Sequence, residues 1–425
     1  MKRILLLVVV LFSLGLLGDV LAAGAEKPVV VLVRTGAEAD GIRAAVEEYK
    51  RVTGRPVELT ELGRSGYYPT LHTQLIAGTE EFDLAQANGV DVSGLAKAGA
   101  ISPIDVYLND PQYTDPKEFD LEDLAFVYKS KGRAYALPFD VSTHFLYYRN
   151  DLVSSPPQTW DQYYETALKW TKATNPDSPT LFGASLTALA GSEQPKVFYS
   201  VMWSMGGWII DEEGNVGVDR PGAIRAGKFY RKLIDAKLLP PDVFSWGFSN
   251  VLDALKTGAV AMGGPYWNAA YQMIRRSDSP YKNNVAITLV PGVLQKDGTI
   301  YRAPFQQGKV ILLNANSRRK EAAWDFYKFL CGKEGMRIYA AAGGTPSRFS
   351  AYQDPTFEFP EYYRLMQDSL RIAKGDPGLP FYLQQHEAMN EALSSIITGQ
   401  SEVEPALRQA GDKIRNLWKE LQEGG

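Results

Sequence analysis

The sequence predicts an α/β protein of two lobes, and three observations lead there. The chain has 425 residues, more than one hydrophobic core ordinarily organises. Its first part alternates β-branched runs with helical patterns, which implies βαβ units around a parallel sheet. The third observation is the stretch Gly258–Trp267, Gly-Ala-Val-Ala-Met-Gly-Gly-Pro-Tyr-Trp. It reads as a helix stop, a buried strand over Ala259–Met262 and an abrupt end, because two glycines and a proline are poor ladder residues. That arrangement puts Tyr266 and Trp267 at a strand's carboxyl end, where open α/β sheets bind ligands. The same pattern also suits a turn with two core aromatics.

The elements follow in order. Pro28–Val33 is a β-branched run ending at Arg34-Thr35-Gly36, a strand and its loop. Ile42, Ala45, Val46 and Tyr49 keep helical spacing, and Thr53-Gly54-Arg55-Pro56 closes that helix before a strand at Val57–Leu59. A second helix is expected over Tyr68–Ala77, stopped by Gly78, then a strand over Glu81–Ala85 with Gln86-Ala87-Asn88-Gly89 as its loop. A weak helix runs from Asp91 to Gly99. Lys131–Asp140 reads as a long extended segment, after which Asp140, Ser142 and His144 alternate and so share one face. Thr159 and Gln162 form a capping box for a helix carrying Trp160, Tyr163, Tyr164, Ala167 and Leu168. Helices are expected over Lys196–Met205 and Pro221–Ala236, with a hairpin between them whose tip is Glu213-Gly214-Asn215. Another helix feeds Gly258. Strands follow at Asn284–Pro291 and Tyr301–Leu313, then helices from Ser317, from Gln384 and, after Pro405, over Val403–Leu417.

Composition bounds the function. The chain is 45% hydrophobic and 22% charged, with 12% aromatic residues, among them 23 Tyr and 8 Trp. Flat amphipathic rings suit sugar faces as well as cores. A net charge of −4 gives no basis for nucleic acid or an anionic membrane as partner. Lys2 and Arg3 precede the apolar run Ile4–Leu17, and Val20-Leu21-Ala22 or Ala23-Gly24-Ala25 offers the cleavage site. Residues 1–25 are therefore expected to be an export signal. The apolar run, at about 14 residues, falls short of the ~20 that span a bilayer. Cys331 is the single cysteine. It lies far from any lipobox position and reads as a core residue, so neither a disulfide nor a lipid anchor is expected, and a periplasmic location follows. His72, His144 and His386 are scattered and form no zinc pattern. No metal or cofactor is expected.

Several motifs, in this order and spacing, resemble the solute-binding proteins of ABC importers, in the carbohydrate branch of maltose-binding type. Thr53-Gly54-x-x-Val57 precedes a strand and Phe82-Asp83-Leu84-Ala85 precedes a loop. Gly132-Arg133-Ala134-Tyr135-Ala136-Leu137-Pro138 leads to Tyr148-Arg149-Asn150-Asp151, where the family has Tyr-Asn-Lys-Asp. Lys320-Glu321-Ala322-Ala323-Trp324-Asp325-Phe326 matches closely, and the Ala-Met-Gly-Gly-Pro-Tyr stretch completes the set. The resemblance covers Pro28 to about Leu417. It implies a two-lobed periplasmic-binding-protein fold, type II-like, with a hinge and three interlobe crossovers. The implied lobes are residues 26–140 plus 304–344 and residues 141–303 plus 345–425.

By position, the resemblance nominates Thr35 and Glu38 in the first loop, Asn88 and Asp91 in the second, and Asp140 and Ser142 at the first crossover. It adds Trp246, Gly264, Tyr266 and Trp267, then Gln307 at the second crossover and Arg348 at the third. Thr, Asn and Asp at such places also suit helix N-caps. The rings would cover sugar faces, and the polar groups would meet hydroxyls with charge-assisted bonds. With only Arg348 as an evident base, and Arg34 and Arg64 weaker, a neutral mono- or oligosaccharide is expected, handed on to membrane permease subunits by a monomeric receptor. A polyol, a glycerol phosphate or a peptide is the alternative ligand. An exported carbohydrate-active enzyme is the other class, but the chain has no Gly-x-Ser-x-Gly, no His-Glu-x-x-His and no phosphate-cradling loop.

Overall fold

The computed structural model describes residues 27–211 and 213–423; the expected export signal lies outside them. Strand β1 (Val29–Arg34) leads to helix α1 (Ala37–Thr53), β2 (Val57–Leu62), α2 (Arg64–Ala77), β3 (Leu84–Asn88) and the short α3 (Val92–Lys97). β1 pairs in parallel with β2 and β3, as the βαβ pattern requires. Gly54 (φ 72°) and Gly78 (φ 70°) close α1 and α2 in the left-handed conformation, so their carbonyls find donors at the turn.

β4 (Tyr128–Ser130) and β5 (Arg133–Arg149) follow. Next come α4 (Trp160–Lys169), α5 (Gln194–Ser204), α6 (Pro221–Asp235), α7 (Phe248–Thr257), β6 (Met262–Trp267), α8 (Ala269–Arg275) and β7 (Val285–Leu289). The chain ends with β8 (Phe305–Leu313), α9 (Lys320–Leu330), α10 (Lys333–Ala341), α11 (Pro360–Ile372), β9 (Lys374–Gly375), α12 (Tyr382–Thr398) and α13 (Val403–Glu423).

The 17-residue β5 belongs to two sheets. Its first part pairs with β4 and β8 in the order β2-β1-β3-β8-β5-β4, and its second part, from Phe145, lies between β6 and β7. Alternation along β1 sorts side chains between two cores. Val29, Val31 and Val33 pack with α1, α9 and α10, whereas Leu32 packs with Tyr67, Leu71 and Leu75 of α2. Two further cores flank the second sheet, one with α4, α5, α6, α12 and α13, the other with α7, α8 and α11.

The opening stretch is corrected in two respects: its strand is Met262–Trp267 and not Ala259–Met262, and its glycines and proline are placed differently. Gly263, Gly264 and Pro265 do not end the strand; they lie within β6. The ladder register against β5 shifts between Phe145 and Tyr147, so the proline without an N–H falls where pairing is interrupted. On the other edge the Gly264 N–H donates to the Ser185 carbonyl at 3.1 Å. Gly264 has φ 141°, and a Cβ there would sit 2.7 Å from the Phe145 carbonyl oxygen. Gly264→Ala is expected to lose about 1–3 kcal/mol of stability, read as a lower urea midpoint; an unchanged midpoint would count against this backbone geometry.

The Thr159 hydroxyl accepts from the Gln162 N–H at 3.2 Å, but Gln162 Oε1 takes the Gln158 N–H at 2.8 Å, so the reciprocal half of the box is displaced by one residue. Cys331 is a fully buried free thiol, as expected. Its thiol is pushed up to about 12 by burial.

Candidate functional site

A cleft of about 570 Å³ opens beside the first sheet, within the usual range for small-molecule sites. One wall is His72 and Ile76 of α2, the Asn88–Asp91 turn and the start of α3. Gln307, Gly308 and Lys309 of β8 form the floor, and the facing wall is Ser192, Glu193 and Lys196 at the start of α5 with residues 379–384 before and into α12.

Strand register builds the floor. Lys309 pairs with Asn88 on one side and with Asp140 on the other, so these three residues form one row across β3, β8 and β5. Gln307 and Ser142 form the next row. Two-residue periodicity turns both rows to the same face. The Lys309 ammonium donates to Asn88 Oδ1, which also accepts from the Tyr68 hydroxyl at 3.0 Å. Burial lowers the Lys309 pKa, as does the Arg34 charge, while Glu38, Asp140 and Asp91 act the other way. Glu38 is itself bound to Arg34 at 2.7 Å.

Asp91 closes the turn after β3. Its Oδ2 accepts from the Asn88 N–H at 3.2 Å, and its Oδ1 lies 3.7 Å from His72 Nε2. The neighbouring Asp91 carboxylate is the main cause that raises the His72 pKa. Gly89 is required for close approach: a Cβ there would meet the Tyr128 ring at 1.9 Å, and the Tyr128 hydroxyl accepts from the Gly308 N–H at 2.8 Å.

The facing wall is built from α5, a helix buried at every position with Lys196 as its one charge. Trp267 stands behind it. Its indole donates to Glu193 Oε2 and its ring meets the His144 ring edge-on at 4.3 Å. His144 Nδ1 lies 2.8 Å from Ser200 Oγ, and burial pushes its pKa down to about 3. Tyr382 supplies a ring at the cleft, 4.2 Å from the ring of His386, which is in turn 3.2 Å from Asp376 Oδ2.

The structure brings Asn88, Asp91 and Gln307 together at the cleft, with Ser142 beside them in the floor and Trp267 just behind the wall. The other sequence candidates are placed elsewhere. Thr35 is exposed at the end of β1 and away from the cleft lining, and Glu38 is held by Arg34. Asp140 is adjacent to the floor, but its Oδ2 is occupied by the Tyr339 hydroxyl at 2.9 Å and the Thr345 N–H at 3.0 Å. Tyr266 is fully buried, with its hydroxyl donating to the Phe248 carbonyl at 2.6 Å; it is core, which corrects its nomination. The Gly264 carbonyl accepts from Tyr163 at 3.1 Å within the core, and Trp246 packs between the two cores of the second sheet, outside the cleft lining. Arg348 is also corrected. It is fully buried and donates to the carbonyls of Cys331 at 2.6 Å and Asp120 at 2.9 Å.

Sequence reasoning missed Lys309, Lys196, Glu193 and Tyr382. Lys309 was legible by its two-residue spacing from Gln307. Lys196 was legible as a lone charge in an otherwise uncharged, apolar-rich helix. Tyr382 had no local signal.

Among the described residues, no group of three or more His, Cys, Asp or Glu is clustered for a metal, and no helix is long and apolar enough to cross a membrane. A putative binding protein of Brucella abortus (strain 2308) is 24% identical over 419 residues, covering 92% of this chain and 96% of that one. The galactooligosaccharide-binding protein of Bacillus subtilis (strain 168) is 24% identical over 305 residues, 69% of this chain and 68% of its own. The fold is that of maltose-bound MalE3 of T. maritima, with a TM-score of 0.73 at 24% identity over 92% of this chain and 100% of that one. A sequence profile described as bacterial extracellular solute-binding protein matches residues 44–362. The chain belongs to that family: it is a bacterial extracellular solute-binding protein.

Proposed function

We propose that the protein captures a carbohydrate in the cleft over β8 and delivers it to the permease of an ABC importer. The observation that carries this reading is the cleft itself, about 570 Å³ with a sheet floor of alternating polar side chains, charged walls and the Tyr382 ring. Such a site offers bonds to a rim of hydroxyls and a flat surface to a C–H face. The galactooligosaccharide and maltose named for two of the similar proteins support the same class. Asn88, Asp91, Gln307 and Ser142 are the proposed hydroxyl partners, with Lys309, Glu193 and Tyr382 added by the geometry.

Closure would bring two lobes together, residues 26–140 with 304–344 and residues 141–303 with 345–425, about three passages. These are Asp140–Ser142 in β5, Gln306–Gly308 in β8 and Gly343–Arg348. The bond from Thr345 N–H to Asp140 ties the third passage to the first. Residues 1–25 are proposed as a cleaved export signal, which gives a periplasmic, monomeric receptor.

A thermal-shift screen of the protein from residue 26 onward tests the reading. A carbohydrate at 100 times its Kd is expected to add about 2.7 kcal/mol to stability. Asn88→Ala, which removes the acceptor shared by Tyr68 and Lys309, is expected to weaken binding by about tenfold. A screen in which no carbohydrate shifts the transition, while a peptide or an amino acid does, would overturn the proposed ligand class.

A further inference from the structure

Two ammonium groups meet at this cleft. Lys309 rises from the floor and Lys196 comes from the facing wall. The Lys196 side chain is only 8% exposed, yet its carboxylate neighbour, Glu193 Oε1, is 3.5 Å away. That is longer than a charge-assisted hydrogen bond. The other oxygen of Glu193 is taken by the Trp267 indole. The Trp267 ring centroid is 5.8 Å from the ammonium, at the outer limit of a cation–π contact, and a ring supplies no hydrogen-bond acceptor oxygen. Of the other carboxylates nearby, Asp91 accepts from the Asn88 N–H with His72 3.7 Å away, and Asp376 holds His386 and Gln385 through Oδ2 while its Oδ1 has no partner. Burial lowers the Lys196 pKa first and the Lys309 charge lowers it further, while Glu193 and, less strongly, Asp376 oppose this. An ammonium largely withdrawn from water, with no short hydrogen bond to its carboxylate neighbour and a like charge facing it, gains when a further anion joins it.

We infer that the ligand carries an anionic group, a carboxylate or a phosphate on a polyhydroxylated carbon frame, received by Lys196 and Lys309 together. This rests on the carbohydrate reading of the cleft and departs from the neutral sugar expected from sequence. That expectation depended on finding no second base in the cleft. The acidic groups around the lysines restrict the site to a single anionic substituent and leave the rest of the ligand to be met through its hydroxyls.

Calorimetric titration with matched pairs tests the inference: galacturonate against galactose, glucuronate against glucose, gluconate against sorbitol, and glucose 6-phosphate against glucose. In at least one pair the acid is expected to bind more tightly than its neutral partner by about tenfold or more. Whether a carboxylate or a phosphate wins separates the two sources of charge. Lys196→Gln is expected to remove that preference, lowering affinity for the acid by about tenfold and leaving the neutral partner within about threefold. The ligand-free thermal midpoint of this variant should not fall, because the ammonium makes no short structural contact. A purely structural lysine would instead lower the midpoint and weaken both members of a pair alike, and that result overturns the inference. So does tighter binding of the neutral member in every pair, which leaves the carbohydrate reading standing. If no member of any pair binds, the inference falls, and the carbohydrate reading falls with it only where the thermal-shift screen also finds no carbohydrate.

Discussion

Replacing Arg348 by methionine is expected to cost about 3–5 kcal/mol of stability and to leave ligand affinity within about threefold. The guanidinium is fully buried and holds three groups at once: the Cys331 carbonyl, the Asp120 carbonyl and the Asp123 carboxylate at 3.3 Å. Its carbon lies 4.6 Å from the centroid of the Phe119 ring. Asp123 also accepts the Ser350 N–H at 2.7 Å. The arginine therefore fastens the end of the Gly343–Arg348 passage to the turn at Leu121–Asp123 and to the end of α9. Methionine fills similar space but leaves two carbonyls and a carboxylate short of a donor, and stranded buried polar groups are costly. Urea unfolding measures the first effect and calorimetric titration the second. A variant with wild-type stability and much weaker ligand binding would place Arg348 in the cleft after all.

Asp140→Asn is expected to stabilise the protein at neutral pH and to do nothing near pH 4. Burial is the largest influence on the Asp140 carboxyl and raises its pKa from 3.8 to about 6; Glu38 adds to this, while the Thr345 N–H, the Tyr339 hydroxyl and Lys309 oppose it. The folded state therefore holds the proton to a higher pH than the unfolded chain does. Its contribution to stability is complete below about pH 4 and is lost as pH rises through 6, a difference of about 2–3 kcal/mol. Asparagine keeps an oxygen for Tyr339 and Thr345 and has no charge to bury. The stability difference between variant and parent should therefore open between pH 4 and 7 and then level. A difference that stays flat with pH would show that the carboxyl ionises as freely folded as unfolded. The same carboxyl ties β5 to the segment at Thr345 through its hydrogen bond to the Thr345 N–H.

Much of the fold was legible before any coordinates. The period-3.6 patterns gave α4 and α6 to within one residue, the face and stop of α1, and the start of α13, which runs six residues past the expected Leu417 to Glu423. Gly54, Gly78 and Gly258 stop helices as read, each in the left-handed conformation. These features are local: they depend on side-chain spacing and on backbone groups within one or two turns. The run Gly263–Pro265 was misread because its fate depends on neighbours. A strand tolerates glycine and proline where its partner's register shifts and a third segment supplies other bonds, and neither condition is written in those residues.

The site divides in the same way. Asn88, Asp91, Ser142 and Gln307 could be nominated through the family resemblance, by their positions along the chain. Tyr266 and Arg348 could not be told from cleft residues, since an aromatic or a base at a strand end looks the same whether it faces ligand or core. By itself the sequence determined the α/β class, the order of its elements and the family of the chain, because periodicity, caps and motif spacing are properties of contiguous residues. Only the tertiary structure decided what lines the cleft. The row Asn88–Lys309–Asp140 exists because three strands far apart in sequence meet in one register, and Lys196 reaches the same space from a helix packed on the other sheet. Charge at a binding site is set by which groups are brought together and buried, and long-range strand pairing is what fixes that here.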